Sequence, residues 1–546
     1  MSEVVRNYTW GGSLRKRRRN LRRHSSGVAK FVFPLLVVVL LLCLWLTRDN
    51  YERSAFVPAD NNIEFYVNDI LGCRDALIES RVFSLAPGWN EAQRVYKIIA
   101  GDLPIPEWLL NNLSADLCHV SAPSFDRVNN VVISVHMTRI GGIAERFIRF
   151  SPSIETDFAG GLRLFHVPDA NIYYAVRGRT LLFSPHRASL IRALTLSPPE
   201  TLDRSRFMES ARKAAGTDIF CRIKSNALDM TDSPFEQLEI VLHLQPATVI
   251  AETECRLSRE FVEQYAPFMA TLSPREFPVP FDCMATLSAD MGVSPLELIK
   301  TFATMFPALE PVAGLFEEAN DDLTPVESIT DAQMLFYNAL RLAETSMRFG
   351  LFGVEPYEML PAPLLAATFA ANTDMVLALF ERIAPVPEET GEVDLAPRLD
   401  DDHLLAYVPL IGGPSIEPAV ASYGHGLLFS SSAALARNLL QSDQLNQHYP
   451  RMGNLYIAIR PLPLVNACFD AAREFAISGL LRGHNGDSIE ETANKWRGVV
   501  SELDDIALFV ACDNYDVRAE LKMSMNKAQR EDSDTPAETG EKERQD

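Results

Sequence analysis

Eight cysteines are few for a chain of 546 residues, and none of them stands in a C-x-x-C pair. A disulfide framework or a structural zinc site would show regular spacing. The expected state is therefore isolated core thiols, with at most one opportunistic bridge among the seven that follow Cys43. Neither a P-loop nor G-x-G-x-x-G nor H-E-x-x-H nor an EF-hand loop is present, so no nucleotide, dinucleotide, zinc or calcium site is legible, and no cofactor and no metal is expected. Ser210-Ala211-Arg212-Lys213 and Ser524-Met525-Asn526-Lys527 fit S-x-x-K, but the S-D-N and K-T-G elements of serine acyl enzymes are missing, and no catalytic residue is assigned.

Histidine is sparse and dispersed. His136, His166 and His243 fall on predicted strands, where a half-buried structural role is expected. The triplet Asp400-Asp401-Asp402 closes an acidic, proline-containing stretch from Pro385; three adjacent carboxylates point in different directions and cannot wrap one ion, so a solvated loop is expected.

Positive charge is short as well: 51 Lys and Arg face 72 Asp and Glu, a net charge of -21. Residues 1–30 hold nine of the bases against one acid, which leaves 42 bases against 71 acids, or -29, in the rest. That argues against a nucleic-acid-binding body.

Long apolar runs are absent but for one, Phe31 to Leu46. At about 1.5 Å per residue its roughly 16 residues reach about 24 Å, and snorkelling by Lys30 and Arg48 with extension over 27–29 makes up the remainder of a hydrocarbon core near 30 Å. No small residues precede a plausible cut, since Thr47-Arg48-Asp49-Asn50 follows, so a retained span is expected instead of a cleaved signal. The cluster Arg15 to Arg23 on its N-terminal side places the tail in the cytoplasm and everything beyond about Arg48 outside the inner membrane.

What is there in quantity is pattern, and the pattern occurs twice. Tyr173 to Leu196 reads YYAVRGRTLLFSPHRASLIRALTL and Val420 to Leu440 reads VASYGHGLLFSSSAALARNLL. In each, an alternating segment reaches a glycine, then Leu-Leu-Phe-Ser, then a helical pattern: a hairpin feeding a helix. Ser184 and Ser430 are expected to cap those helices.

Six further matches keep the same order. Asn90-Glu91-Ala92-Gln93 answers Thr330-Asp331-Ala332-Gln333 as a capped helix start, and Glu145-Arg146 answers Glu381-Arg382. Val167-Pro168 answers Val408-Pro409, and the closing hairpin with Val249-Ile250-Ala251-Glu252 answers the one with Val517-Arg518-Ala519-Glu520. A duplication is the economical explanation.

The expected fold class is α+β: an N-terminal transmembrane helix, then two tandem repeats of a mainly antiparallel sheet covered on one face by helices. The expected segments are a basic tail over 1–30, the span over 31–48, a connector over 49–56, unit 1 over 57–262, a linker over 263–275, unit 2 over 276–527 and a disordered tail over 528–546. Unit 2 carries a helical insertion over 464–503, its second helix expected to start at Ser488 with Glu491 and to present Ile489, Trp496 and Val500.

The basic tail with one apolar helix, Pro58-Ala59-Asp60 leading to a first strand, Gly-x-x-Leu-Leu-Phe-Ser and Leu360-Pro361-Ala362-Pro363 together resemble an uncharacterised class of bacterial single-pass membrane-anchored proteins of unknown function. The resemblance implies location and duplication; with no established activity in that class, it implies no functional residue. The expectation for function is a non-catalytic cell-envelope scaffold or partner-binding protein, tied to the lipid bilayer through residues 31–48 and binding an envelope protein partner or an envelope polymer, with Trp496 as the candidate anchor residue. The alternative is a small-molecule or lipid ligand held in a cleft between the repeats.

Overall fold

The computed structural model describes residues 51–68, 117–124, 130–168, 171–228, 234–305 except 246, 343–372 except 358 and 359, 398–400, 405–407 and 417–525 except 425, 482, 484 and 514, together with 49, 73 and 111–113. Within them the fold is α+β, a large antiparallel sheet with several helices. The predicted span from Phe31 to Leu46 and the helix starts at Asn90 and Thr330 lie outside the described residues. Among the described residues no helix is long and apolar enough to cross a membrane.

The strands are β1 (Ile63–Val67), β2 (Cys118–Ala122), β3 (Val132–His136), β4 (Glu155–Ala159), β5 (Leu162–Val167), β6 (Ile172–Arg177), β7 (Thr180–Ser184), β8 (Ile219–Lys224), β9 (Phe235–Gln245) and β10 (Thr248–Leu257). They continue as β11 (Ala285–Asp290), β12 (Ala343–Tyr357), β13 (Leu360–Ala371), β14 (Arg398–Asp400), β15 (Leu405–Tyr407), β16 (Ala419–Tyr423), β17 (Gly426–Ser430), β18 (Leu455–Ile459), β19 (Leu503–Asp513) and β20 (Asp516–Met525). The helices that matter here are α1 (Arg139–Ile148), α2 (Arg187–Thr195), α3 (Arg204–Ala214), α4 (Pro295–Met305), α5 (Ala433–Leu440), α6 (Pro461–Ile477) and α7 (Gly486–Val500).

Two compact units divide the chain, one of Met1–Asn61, Asn68–Leu71 and Val95–Ala211, the other of Asn62–Val67, Gly72–Arg94 and Arg212–Asp546. In the first, the strands run β4-β5-β6-β7-β3-β2. In the second they run β14-β15-β16-β17-β13-β12-β11-β18-β19-β20-β10-β9-β8-β1. The stretch β14 to β12 repeats the order of β4 to β2, and β11-β18-β19-β20 repeats that of β1-β8-β9-β10.

The hairpin turns fall where the glycines are. Gly178 and Gly424 adopt φ of 61° and 43°, which a Cβ would resist, and the Leu-Leu-Phe-Ser strands that follow are buried. The serines that end them do not cap the helices. Ser184 Oγ accepts from the His186 N–H at 3.1 Å, and Ser430 Oγ accepts from the Ser432 N–H at 3.1 Å, turning the chain two residues before the helix begins. The residue at the start of α5 is Ser432, whose Oγ accepts from Leu435 N–H at 3.3 Å; α2 starts at His186 with no side-chain cap.

Helices cover both faces of the sheet around β13 and β17, where one covered face was expected. Ala366, Ala421 and Leu428 pack with Ala433, Ala436 and Leu439 of α5, while Phe369, Leu427 and Phe429, of opposite parity on the same strands, pack with Leu298 of α4. Near-continuous apolar runs such as Leu-Leu-Phe are the sequence form of a strand buried on both sides. The acidic stretch ending at Asp402 also departs from expectation: Arg398–Asp400 pairs with Leu405–Tyr407 as β14 with β15.

The closing hairpins β9-β10 and β19-β20 lie edge to edge. β10 pairs β20 antiparallel from Thr248↔Ser524 to Arg256↔Asp516, and at the centre Glu252 faces Glu520, the two glutamates that end the matching Val-x-Ala-Glu segments. Like charges so placed repel. Here Arg451 Nη1 lies 2.7 Å from Glu520 and offsets its charge, and His243 Nε2 lies 3.9 Å from Glu252.

Candidate functional site

The insertion expected over 464–503 is a helical hairpin, α6 and α7. Pro461, at the first turn of α6, supplies a fixed φ where an N–H has no helical partner. The start of α7 is Asn485, three residues before the expected Ser488: Asn485 Oδ1 accepts from the Ser488 N–H at 2.9 Å, and Ser488 Oγ returns by accepting from the Asn485 N–H at 3.2 Å. Ser488 is thus the second half of a reciprocal cap.

The buried stripe of the pair is Ala467, Ala476, Ile489, Ala493 and Val500, and α6 lies against β12, β13 and β19. Arg497 clamps the helices together, donating from Nε to Asn466 Oδ1 at 2.8 Å and from Nη1 to Glu490 Oε1 at 2.6 Å, with Asp470 3.7 Å away. Trp496 lies on the same face of α7 as Ile489, Ala493 and Val500 and yet is 54% exposed, flanked in sequence by Arg497 of that clamp and by Lys495, which pairs with Glu491 at 3.0 Å. Ile477 and Leu480 at the tip of the hairpin are exposed too. The result is an indole standing on a side-chain-braced platform.

Two buried cationic positions escaped the sequence reading. Arg348 in β12 has no solvent exposure and, among the described residues, no carboxylate at ion-pair distance. Its Nε donates to Thr368 Oγ1 at 3.0 Å, Nη1 to the carbonyls of Val279 and Gln444 at 2.8 and 3.0 Å, and Nη2 to that of Leu445 at 3.1 Å, while its Cζ lies 4.6 Å from the centre of the Phe281 ring. Burial is the dominant influence on its pKa and lowers it. With its donors occupied, this guanidinium ties β12 to β13, to the lead-in of β11 and to the turn Asp443–Asn446.

The corresponding place in the other strand set holds His119: it pairs with Ser134 of β3 as Arg348 pairs with Thr368 of β13. His119 is buried, sits edge-on to Phe207 at 5.4 Å, and burial pushes its pKa down to about 3, so it is neutral at physiological pH. The second cluster is Glu64, Arg222 and Glu239, neighbours across β1, β8 and β9. Arg222 donates from Nε and Nη2 to Glu239 Oε1 at 2.9 and 2.7 Å, Tyr66 Oη donates to Glu64 Oε2 at 2.7 Å, and Lys213 bonds the other oxygen of Glu239. Burial alone would raise the pKa of Glu239; the hydrogen bonds from Lys213 and Arg222 overcome it and hold the carboxyl below its ordinary value. In the matching strands β11, β18 and β19 these places are Thr286, Ala458 and Ala507.

The remaining residues singled out in the sequence do not converge. Ser210 is buried and its Oγ donates to the Arg206 carbonyl at 3.0 Å, while Lys213 is committed to Glu239. His166 stacks on Tyr173 at 4.3 Å and lies 3.5 Å from Glu155; His136 accepts from Arg179 at 2.6 Å. Among the described residues no group of three His, Cys, Asp or Glu is placed to hold a metal ion.

The seven described cysteines are free thiols. Burial raises Cys221 to about 12 and Cys255, Cys283 and Cys512 to about 11, which disfavours the thiolate. Cys255 and Cys512 flank Val517 on either side of β20, two strands or roughly 10 Å apart, too far for a disulfide.

No family model matches the chain, and no curated protein matches it. Among solved structures, crystal form IV of TP0453 matches with 8% identity over 38% of this chain and 80% of that one, at a TM-score of 0.22. Form I gives 10% identity over 41% and 86% at 0.24, and form III 9% over 43% and 91% at 0.23.

Proposed function

We propose that the chain is a membrane-anchored protein of the cell envelope, with its N-terminus in the cytoplasm and a body of two tandem α+β repeats on the far side, and that this body binds a protein partner without catalysing a reaction. The anchor rests on the basic cluster Arg15 to Arg23 and the apolar run Phe31 to Leu46. The repeats rest on the shared strand order and on the Glu252–Glu520 centre of the β10–β20 pairing.

The observation that carries the partner reading is Trp496. An indole more than half exposed, on a helix whose neighbours are locked by Arg497, is a pre-organised aromatic anchor that loses little entropy on docking. Its helices belong to one repeat alone, where a function beyond folding has room to arise. The test is purification of the full chain in mild detergent, with and without Trp496→Ser. A co-purifying protein is expected to be lost or reduced at least tenfold in the variant while the denaturation midpoint stays the same; an unchanged set of co-purifying proteins would remove Trp496 from the partner surface.

A further inference from the structure

Helix α1 is amphipathic with its sides reversed. Its apolar residues Ile140, Ile143 and Phe147 recur at three and four residues, the spacing of one helix face, yet Ile140 is 58% and Phe147 74% exposed. Phe150, just past the helix, is 77% exposed, and Phe158 of β4 is 67% exposed. What α1 turns inward is Gly141, Gly142 and Glu145, the last buried and bonded to Arg149. Gly141 is there because the backbone carbonyl of Asn112 occupies the space a Cβ would need, and Thr138 caps the helix by accepting from the Gly141 N–H at 2.9 Å. The helix is therefore fixed with aromatic rings facing out.

Charge and chain position identify what such a face meets. The single carboxylate of α1 is consumed inside; Arg139 stands exposed at the start of the helix and Arg163 stands exposed opposite Phe158 in the β4–β5 pairing, while Asp157, the acid next to Phe158, is held by Arg187 at 2.5 Å. In a body carrying -29 beyond residue 30, this is a local basic and aromatic surface. The end of the predicted span is tied to the same place. Asp49 lies 3.4 Å from His136 and 3.8 Å from Arg179, and His136 ends the strand that runs into α1. Asp49 is three residues beyond Leu46, a reach of at most roughly 11 Å.

We infer that the outward face of α1, with Phe147 and Phe150 as its insertions and Arg139 at its margin, lies on the membrane surface and binds anionic lipid in the leaflet from which the chain emerges. This rests on the anchor reading above. Aromatic side chains entering the interface with arginines at the phosphate level is the chemistry of helices that lie in that plane.

The test uses the full chain in vesicles of phosphatidylethanolamine and phosphatidylglycerol, with the photoreactive analogue p-benzoylphenylalanine replacing Val38, Phe147 or, as an exposed control on α3, Met208. The expected result is lipid adducts at 38 and 147 and none at 208, with the yield at 147 falling severalfold when phosphatidylglycerol is replaced by phosphatidylcholine. Adducts at 38 without adducts at 147 overturn this inference and leave the anchor standing. Adducts at 147 without adducts at 38 overturn the anchor and support lipid contact by α1 alone. A protein–protein adduct at 147, to a second copy in vesicles or to another protein in cells, also overturns it.

Discussion

Single residues account for most of what the sequence concealed. A charged residue on an alternating strand reads as outward-facing, so Arg348 between Met347 and Phe349, or Glu64 between Ile63 and Phe65, gives no local sign of burial. Only the strands on either side, which supply Thr368 for one and Arg222 for the other, make the burial tolerable. Replacing Arg348 by Met keeps the stem but leaves the carbonyls of Val279, Gln444 and Leu445 without their donor; the expected loss is about 3 kcal/mol or more, read from the urea midpoint. His119 makes a different prediction. Its folded pKa of about 3 lies below the ordinary 6.5, so between those values the unfolded chain holds more protons than the folded one. Its contribution is complete above pH 6.5 and is lost as pH falls toward 3. His119→Gln is expected to flatten the acid limb of the stability curve by about 1.4 kcal/mol for each pH unit below 6.5, measured by denaturation between pH 5 and 7.

Elements were legible to the extent that their signals are local. The Gly-x-x-Leu-Leu-Phe-Ser hairpins and the α6–α7 insertion follow directly from turn residues and periodicity. The helix starts slipped by two or three residues, because Ser184, Ser430 and Ser488 each have neighbours able to do the same work, and the backbone angle that decides between them is not written in the residue type. Helix α1 misleads more deeply. Its spacing identifies an apolar face correctly and says nothing about whether that face turns inward. The decisive signal, read afterwards, is Gly141-Gly142, small residues where the backbone of another segment passes. Gly141→Ala would set a methyl group inside the contact distance of the Asn112 carbonyl oxygen and is expected to cost about 1–3 kcal/mol. Gly498→Ala, on the open side of α7 with nothing within 4 Å, is expected to gain about 0.4–1 kcal/mol, and the two thermal midpoints should move in opposite directions.

For the whole molecule, the direction of insertion is the expectation with the plainest readout. A reporter active only outside the cytoplasm, fused after residue 60, is expected to be active; a well-expressed but inactive fusion would place the body on the cytoplasmic side. The order of the matched segments along the chain was legible in the sequence, whereas the order of strands across the sheet and the pairing of the two closing hairpins were not, because such pairings join strands far apart in the chain, hundreds of residues apart for β10 and β20. That pairing also bears on assembly. A chain with one copy would end in the bare edge of a closing hairpin, a ready template for another molecule of the same kind, and the Glu252–Glu520 centre is where such a dimer's two-fold axis would pass. Encoding both copies in one polypeptide turns that encounter into a ring closure, whose strength is set by the length of the connecting chain and is indifferent to dilution. Within one polypeptide the same edge-to-edge association does not depend on how much protein a cell makes and belongs to every molecule as it leaves the ribosome.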